Sequence, residues 1–222
     1  MNLNPTAPTM RGLVKLHKED TTIRPIINWR NATGYKLAKM LARKLTSYIP
    51  LPLAYNVTNT VQLTNGLIDI PYDHNTKFPS YDINRMYSNS PTTDLMTTLR
   101  KLCDVSNVDD RTTQDIMRNA QTLVEQNYLR FRDTIYIQNE GLAMGAPTSS
   151  TLSEIYLQYT ENTTIYELLI KHKVEGYFRY VDDIIVMYKA NTHRVLEDFD
   201  NLVPSMKFTL EKRTKSISWT LP

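Results

Sequence analysis

Residues 175–189 read EGYFRYVDDIIVMYK, and this stretch decides the fold because two apolar runs flank a pair of carboxylates. The runs 175–180 and 184–189 predict an antiparallel hairpin with Asp182 and Asp183 at its turn. Adjacent carboxylates between apolar strands repel each other and lose hydration, so they need a compensating cation. Magnesium suits that role because it is a hard ion that prefers oxygen ligands.

A second pair, Asp109-Asp110, shows that two adjacent aspartates are weak evidence on their own. This pair lies in a polar stretch just ahead of a predicted helix, where helix capping and solvation explain both residues. The apolar flanks of Asp182 and Asp183 therefore carry more weight than the pair itself.

Asp82 is a third acid with apolar neighbours, in the run PSYDI at residues 79–83. If its strand lies beside the hairpin, Asp82 and Asp182 can clamp two cations, which is the geometry for in-line phosphoryl transfer. The alternative is that Asp82 only caps the following turn through Asn84.

The surrounding elements predict an α+β fold, with helices packed on one face of a small antiparallel sheet. Apolar periodicity predicts helices over 34–48, 59–70, 91–102, 112–126, 149 to about 171, and 193–202. Alternating or short apolar runs predict a hairpin of 12–18 with 23–28, another over 128–138, and strands over 78–86, 207–211 and 216–221. Residues 141–148 are predicted to form a glycine-containing loop.

The composition is that of an ordinary globular chain: 222 residues, of which 41% are hydrophobic and 22% charged. The single cysteine, Cys103, cannot form an internal disulfide. No signal peptide and no apolar run of membrane-spanning length are visible. These features predict an intracellular protein, in the nucleus or cytoplasm, that is neither secreted nor in a membrane.

Positive charge is concentrated at the start of the chain. Residues 1–50 carry nine Lys or Arg and two acids, whereas the remainder carries 17 basic and 21 acidic residues. A basic segment beside an acid-bearing remainder suits a protein that binds a polyanion next to a metal-binding site. The alternative is a helix with a solvated lysine face, which charge alone would favour.

Three motifs in order resemble those of reverse transcriptases. The run RYVDDI from Arg179 to Ile184 resembles motif C, and Asp82 followed five residues later by Tyr87 resembles motif A. The run GLAMGAPTSS at residues 141–150 is similar to motif B, and LHK at 16–18 with IRPII at 23–27 resembles the fingers motifs.

Within that class, the sequence resembles the reverse transcriptase domain of Penelope-like retroelements, which are relatives of telomerase. This resemblance covers about residues 11–221 and is carried by LHK and IRPI, by 141–147, by SEIYLQY at 153–159, by GYFRYVDD at 176–183 and by KFTLE at 207–211. It implies a right-hand polymerase core with an antiparallel palm sheet, fingers at about 1–70 and a palm at 71–222 holding motifs A, B and C. No thumb is expected in this chain, whereas a thumb or a GIY-YIG endonuclease region is expected in a full-length relative.

The resemblance implies an RNA-directed DNA polymerase that uses two Mg²⁺ ions, with Mn²⁺ as an alternative. Asp82, Asp182 and Asp183 would form the catalytic triad, and the Ile83 carbonyl would also meet a metal ion. The partners would be an RNA template, a DNA primer and deoxynucleoside triphosphates. Either Lys207 or Lys212 would protonate pyrophosphate, and the sequence does not choose between them.

Further contacts follow from the same resemblance. The nucleotide-binding residues would be Lys15, Lys18, Arg24, Asn84, Arg85, Met86, Tyr87, Met144 and Gly145. The primer-template contacts would be Gly145, Ala146, Pro147 and Tyr180. Tyr87 would reject a 2′-hydroxyl by bulk; the alternative is that it is a tyrosine of the core. For Arg24, the alternative to nucleotide binding is that it is an ordinary arginine of a strand. Ser149 and Ser150 are first interpreted as the N-cap of the next helix.

Three other interpretations stay open. The chain could be an inactive, truncated retroelement remnant that at most binds nucleic acid, or a telomerase-type subunit working on a dedicated RNA. RNA-templated RNA polymerases also place two aspartates in such a turn, although Tyr87 argues against a ribonucleotide substrate.

Overall fold

The computed structural model describes residues 6–14, 23–52, 54–189, 197–198, 201 and 206–210. The helices are α1 (Tyr35–Tyr48), α2 (Thr60–Ile68), α3 (Thr92–Val105), α4 (Asp110–Glu125), α5 (Ser149–Thr160), a π-helix (Glu161–Ile165) and α6 (Tyr166–Lys171). The strands are β1 (Thr9–Val14), β2 (Ile23–Asn28), β3 (Thr76–Lys77), β4 (Ser80–Ile83), β5 (Tyr128–Phe131), β6 (Thr134–Ile137), β7 (Gly176–Tyr180), β8 (Asp183–Lys189) and β9 (Phe208–Leu210). The predicted strand over 216–221 and most of the predicted helix over 193–202 lie outside the described residues.

The chain divides into two compact units, each made of two separate segments. The first unit comprises Met1–Ala54 and Arg85–Asn162, and the second comprises Tyr55–Asn84 and Thr163–Pro222. Each unit holds one β-sheet, so the α+β class is confirmed. Within the described residues, no helix combines the length and the apolar character needed to cross a membrane.

The sheet of the first unit has the order β2-β1-β5-β6. The hairpins β1–β2 and β5–β6 are antiparallel, as their alternating sequences predict. A parallel pairing between Thr9 and Arg130 joins the two hairpins into one sheet. Sequence periodicity identified each hairpin but not the pairing between them, because that pairing links distant segments.

Helices α1, α3, α4 and α5 pack together in the first unit. Helix α1 has a basic outer face, since Lys36, Lys39 and Arg43 are exposed while Leu41 and Leu45 are fully buried. Met40 is 41% exposed, whereas Ala38 is fully buried.

The α4 helix begins as its sequence predicts. The Asp109 side chain accepts a hydrogen bond from the Thr112 N–H at 3.0 Å, which makes Asp109 the N-cap. This bond also lowers the pKa of the Asp109 carboxyl. The Asp109-Asp110 pair is therefore structural, as expected.

The predicted single helix from Ser149 to about Lys171 is wrong in its middle, where a π-helix separates α5 from α6. Near this break, two side chains bond to carbonyl oxygens of α5. The Thr160 hydroxyl donates to the Tyr156 carbonyl at 2.9 Å, and the Asn162 side chain donates to the Gln158 carbonyl at 2.7 Å. Side chains that bond to carbonyls four residues back disturb the regular ladder.

The described strands of the second unit pair in antiparallel fashion, with the order β3-β8-β4-β9 and with β7 also paired to β8. The predicted β7–β8 hairpin is thus confirmed, and β8 is the strand that meets β3, β4 and β7. Leu168 and Leu169 of α6 supply further buried apolar groups in this unit.

Candidate active site

The turn between β7 and β8 places two acids at the end of a hairpin. Tyr180 pairs with Asp183 across the two strands, which leaves Val181 and Asp182 as the connecting residues. Val181 has a φ of +57°, a conformation that a β-branched residue rarely adopts. Such a residue costs on the order of 1–3 kcal/mol and persists only where its surroundings hold it.

Asp82 on β4 lies directly opposite Asp183 on β8. Facing residues in an antiparallel pair have Cβ atoms about 4.5–5.5 Å apart and share one face of the sheet. On the other side of β4, Asp82 faces Thr209 of β9. Asp82 is half-buried and Asp183 is exposed, so this face opens to solvent.

Asp182 lies one residue before the paired position, in the turn itself. Its carbonyl accepts a hydrogen bond from the Ile83 N–H at 2.9 Å, which ties the turn to the residue after Asp82. The fold therefore brings Asp82, Asp182 and Asp183 together. The acid opposite Asp82 in the register is Asp183, and Asp182 precedes it in the turn.

The opposite face of the same strands is the core of the sheet. Tyr81 and Ile83 of β4, with Ile184 and Val186 of β8, are all buried there. Burial raises the pKa of the Tyr81 hydroxyl, and contact with Tyr188 adds to this effect. The alternation of apolar and acidic residues therefore sets both the strand register and the direction of the acids.

These three acids fit the oxygen-ligand chemistry of a divalent cation. Two like charges directly opposite each other destabilise a sheet, and a cation between them removes that repulsion. Within the described residues, no three His, Cys, Asp or Glu side chains form a ready metal-ligating group. Magnesium keeps several water and phosphate oxygens in its shell, so it needs fewer protein ligands than such a group supplies.

The motif B loop lies in the first unit and joins strand β2. The Ile27 N–H donates to the Met144 carbonyl at 2.9 Å. Gly145 has a φ of +107°, and a Cβ there would collide with the Ile27 carbonyl oxygen. Glycine is thus required by the loop's own contact with β2, a reason that differs from the base-pair contact implied by the family.

The tail of motif A contacts the same loop. The Leu142 N–H donates to the Tyr87 carbonyl at 2.6 Å, and Gly141, with a φ of +73°, leaves no room for a Cβ against the Ser88 backbone. Tyr87 is half-buried and Met86 is buried, while Arg85 is exposed with a φ of +51°. In the second unit, the Asn84 N–H donates to the Lys207 carbonyl at 2.8 Å.

The remaining predicted residues vary in exposure. Arg24 and Tyr180 are exposed, and Ala146 and Pro147 are half-buried. Lys15, Lys18 and Lys212 lie outside the described residues. The predicted N-cap at Ser149 or Ser150 is wrong, because Thr148 occupies that position. The buried Ser149 hydroxyl instead donates to the Ala143 carbonyl at 2.7 Å and so stabilises the loop.

Sequence reasoning missed Arg179, a fully buried arginine on β7. Its guanidinium Nη1 donates to the Val181 carbonyl at 3.1 Å. Its backbone is bonded to the segment at Tyr55 and Val57. A usable signal was present, since Arg179 is the one charged residue in the run GYFRYV ahead of the two acids.

No protein-family model matches the sequence, and no curated protein sequence matches it. Solved structures do match. Telomerase from Candida albicans, in complex with the TWJ fragment of telomeric RNA, superimposes with a TM-score of 0.62 at 14% identity, over 93% of this chain and 43% of that one. Telomerase from Candida tropicalis with the TWJ fragment gives 0.64 at 11% identity, over 100% of this chain and 44% of that one. Its apo form, truncated from the C-terminal domain, gives 0.57 at 12% identity, over 97% and 52%.

This chain therefore spans about half or less of the length of the telomerase chains that it matches. At 11–14% identity the likeness concerns the fold alone. The conclusion is that the chain has a fold similar to part of telomerase, a reverse-transcriptase-related polymerase.

Proposed function

We propose that this protein is an RNA-directed DNA polymerase that belongs to a Penelope-like retroelement and joins deoxynucleotides to a primer 3′-hydroxyl. The observation that carries the proposal is the register of the second sheet. It sets Asp82 opposite Asp183 and bonds the Asp182 carbonyl to the Ile83 N–H. The motif order and the telomerase-like fold support the same reaction.

Asp82, Asp182 and Asp183 would hold two Mg²⁺ ions, or Mn²⁺ in their place, with the Ile83 carbonyl as a further oxygen ligand. When bound, such ions would lower the pKa of the primer 3′-hydroxyl and neutralise the charge that develops on pyrophosphate. The protein's part is to keep the carboxylates on one solvent-facing edge. Lys207, next to β9, or Lys212 would donate the proton that pyrophosphate takes up.

The incoming deoxynucleotide would be met by residues of motifs A and B and of the fingers. Arg24 suits a triphosphate because a guanidinium donates two parallel hydrogen bonds, and Lys15 or Lys18 would add charge. Of the backbone N–H groups from Asn84 to Tyr87, that of Asn84 donates to the Lys207 carbonyl, so those of Arg85 to Tyr87 would bind phosphate oxygens. Tyr87, with Met144 and Gly145, would line the sugar and base side and exclude a 2′-hydroxyl.

The nucleic-acid partners would be an RNA template and a DNA primer. Two of the similar telomerases were solved with a fragment of telomeric RNA, which agrees with an RNA partner. Gly145, Ala146, Pro147 and Tyr180 would contact the primer-template. The exposed basic face of α1 would add backbone contacts, so binding should weaken as salt rises.

Primer extension on an RNA template with Mg²⁺ and deoxynucleotides tests the proposal. We expect the native chain to extend the primer and Asp182→Ala to abolish extension. Asp110→Ala is the matched control, because it also removes one carboxylate from an adjacent pair but lies at the start of α4. Extension by Asp182→Ala at the native rate would overturn the proposal. No extension by the native chain would instead favour the inactive remnant.

A further inference from the structure

Arg179 is a charged side chain in the core of the second unit, and its presence there calls for a role. Its exposed fraction is 0%, and it shares the buried face of β7 with Tyr177 while facing Ile184 across the hairpin. Arginine stays protonated in proteins, and a buried charge is costly unless hydrogen bonds and partners compensate it. An apolar side chain would fill the same position at lower cost.

The guanidinium acts on the turn that carries the acids. Nη1 donates to the Val181 carbonyl oxygen at 3.1 Å. That carbonyl belongs to the peptide that joins Val181 to Asp182, so the bond fixes the plane of the peptide immediately before the first acid. It also helps to hold Val181 at a φ of +57°, where a β-branched residue does not stay without support.

Arg179 is itself anchored on both sides. Its N–H donates to the Tyr55 carbonyl and its carbonyl accepts from the Val57 N–H, both at 2.8 Å. On the far side of the turn, the Ile83 N–H holds the Asp182 carbonyl at 2.9 Å. Two successive carbonyls of the turn are therefore held, one by the Arg179 side chain and one by the strand that carries Asp82.

We propose that Arg179 is a positioning residue, which holds the Val181–Asp182 peptide so that the Asp182 carboxylate stays aligned with Asp82 and Asp183. Its effect on catalysis rests on the proposed polymerase function, whereas its effect on the turn does not. Reacting groups must be held within about 0.5 Å of the productive geometry, so a loosened turn lowers the rate rather than the affinity for nucleotide.

The first test combines Arg179→Met, which removes every donor, with Val181→Gly, which lets the turn adopt a positive φ without support. In primer extension we expect Arg179→Met to lower kcat by on the order of 100-fold with little change in KM for deoxynucleotide. The double variant should regain much of this loss, because glycine adopts the positive φ without the guanidinium bond. Equal kcat losses in the single Arg179 variant and the double variant would overturn the proposal.

The second test does not depend on activity, so it separates this inference from the proposed function. Amide hydrogen exchange at Ile83 reports the bond to the Asp182 carbonyl, and exchange at Val186, whose N–H donates to the Pro79 carbonyl at 3.1 Å, reports the rest of the sheet. We expect Arg179→Met to speed exchange at Ile83 selectively and the added Val181→Gly to slow it again. Equal acceleration at both amides would overturn the proposal, because it would indicate a general loss of stability.

Two further variants keep the second test decisive. Leu168→Ala removes a buried apolar side chain of the same unit and should affect both amides alike. If Arg179→Met does not fold, Arg179→Lys takes its place, since it keeps the charge but loses the planar fork. Faster exchange at Ile83 in Arg179→Lys supports the proposal, and native exchange there contradicts it.

Discussion

At the scale of the residue, Gly145 shows how the loop after motif A depends on one backbone contact. Its φ of +107° is unfavourable for any side chain, and the Ile27 carbonyl occupies the space where a Cβ would lie. The neighbouring Met144 carbonyl is bonded to the Ile27 N–H, so the loop cannot retreat without losing a hydrogen bond. Glycine is therefore a structural requirement before any nucleic acid is considered.

Gly145→Ala is expected to lower the free energy of unfolding by about 2 kcal/mol or more, because it combines a left-handed conformation with a backbone collision. Gly34→Ala is the control, since Gly34 has a φ of −78° and a Cβ there would meet side-chain atoms of Leu123 and Trp29 at 3.0 and 3.4 Å and no backbone atom within 4 Å. Urea denaturation of both variants measures the difference. Similar losses in the two variants would contradict this account of Gly145.

The sequence predicted the three acids because each has apolar neighbours, a pattern that local reasoning can detect. It did not predict which acid faces Asp82, because the register between β4 and β8 joins residues about 100 positions apart. It missed Arg179 because the local pattern does not show that this side chain is buried and donates to the Val181 carbonyl. It also placed the N-cap at Ser149 or Ser150, whereas the Ser149 hydroxyl bonds back to Ala143 in the preceding loop.

At the scale of the element, boundaries with a chemical signal were predicted well. Helix α2 begins at Asn59, whose side chain accepts from the Gln62 N–H at 2.9 Å, while the Gln62 side chain accepts from the Thr58 N–H at 2.9 Å. This reciprocal arrangement satisfies two backbone donors at the helix start. The π-helix at Glu161–Ile165 had no such signal, because it lies within a run whose periodicity predicts a single helix.

Asn59→Ala should reduce stability by about 1 kcal/mol, because it leaves the Gln62 N–H without its cap. The same substitution at Asn65, exposed in the middle of α2, should be neutral or slightly stabilising, since alanine is the better helix former. The shift in urea midpoint distinguishes the two sites. A larger loss at Asn65 than at Asn59 would show that the cap does not govern this helix.

At the scale of the whole molecule, several surface carboxylates make stability depend on pH. The pKa of Asp73 is lowered chiefly by its hydrogen bond from Lys189, and that of Asp198 by its hydrogen bonds from Lys171 and His172. A carboxyl whose pKa is lower in the folded chain stabilises that chain above the ordinary value of 3.8. This stabilisation is lost as the pH falls through the lower, folded pKa.

We therefore expect the urea midpoint to fall between pH 5 and pH 3, and to fall less steeply in the double variant Asp73→Asn, Asp198→Asn. At the alkaline end the sign reverses, because the pKa of Lys189 is raised by Asp73. Its contribution is complete below the ordinary value of 10.5 and disappears as the pH rises through the folded pKa. An identical acid slope in the native chain and the double variant would rule out these two carboxylates as the cause.

The facing of Asp82 and Asp183 has a consequence for insertions and deletions. Side chains alternate between the two faces of a strand, so the loss of one residue within β4 would turn Asp82 toward the buried side and Ile83 toward solvent. Such a deletion would disrupt both the packing of the sheet and the arrangement of the three acids. A point substitution at Asp82, in contrast, would leave the packing intact. Descendants of this sequence that still fold should therefore differ at the acids by replacement, and hardly ever by a change in strand length.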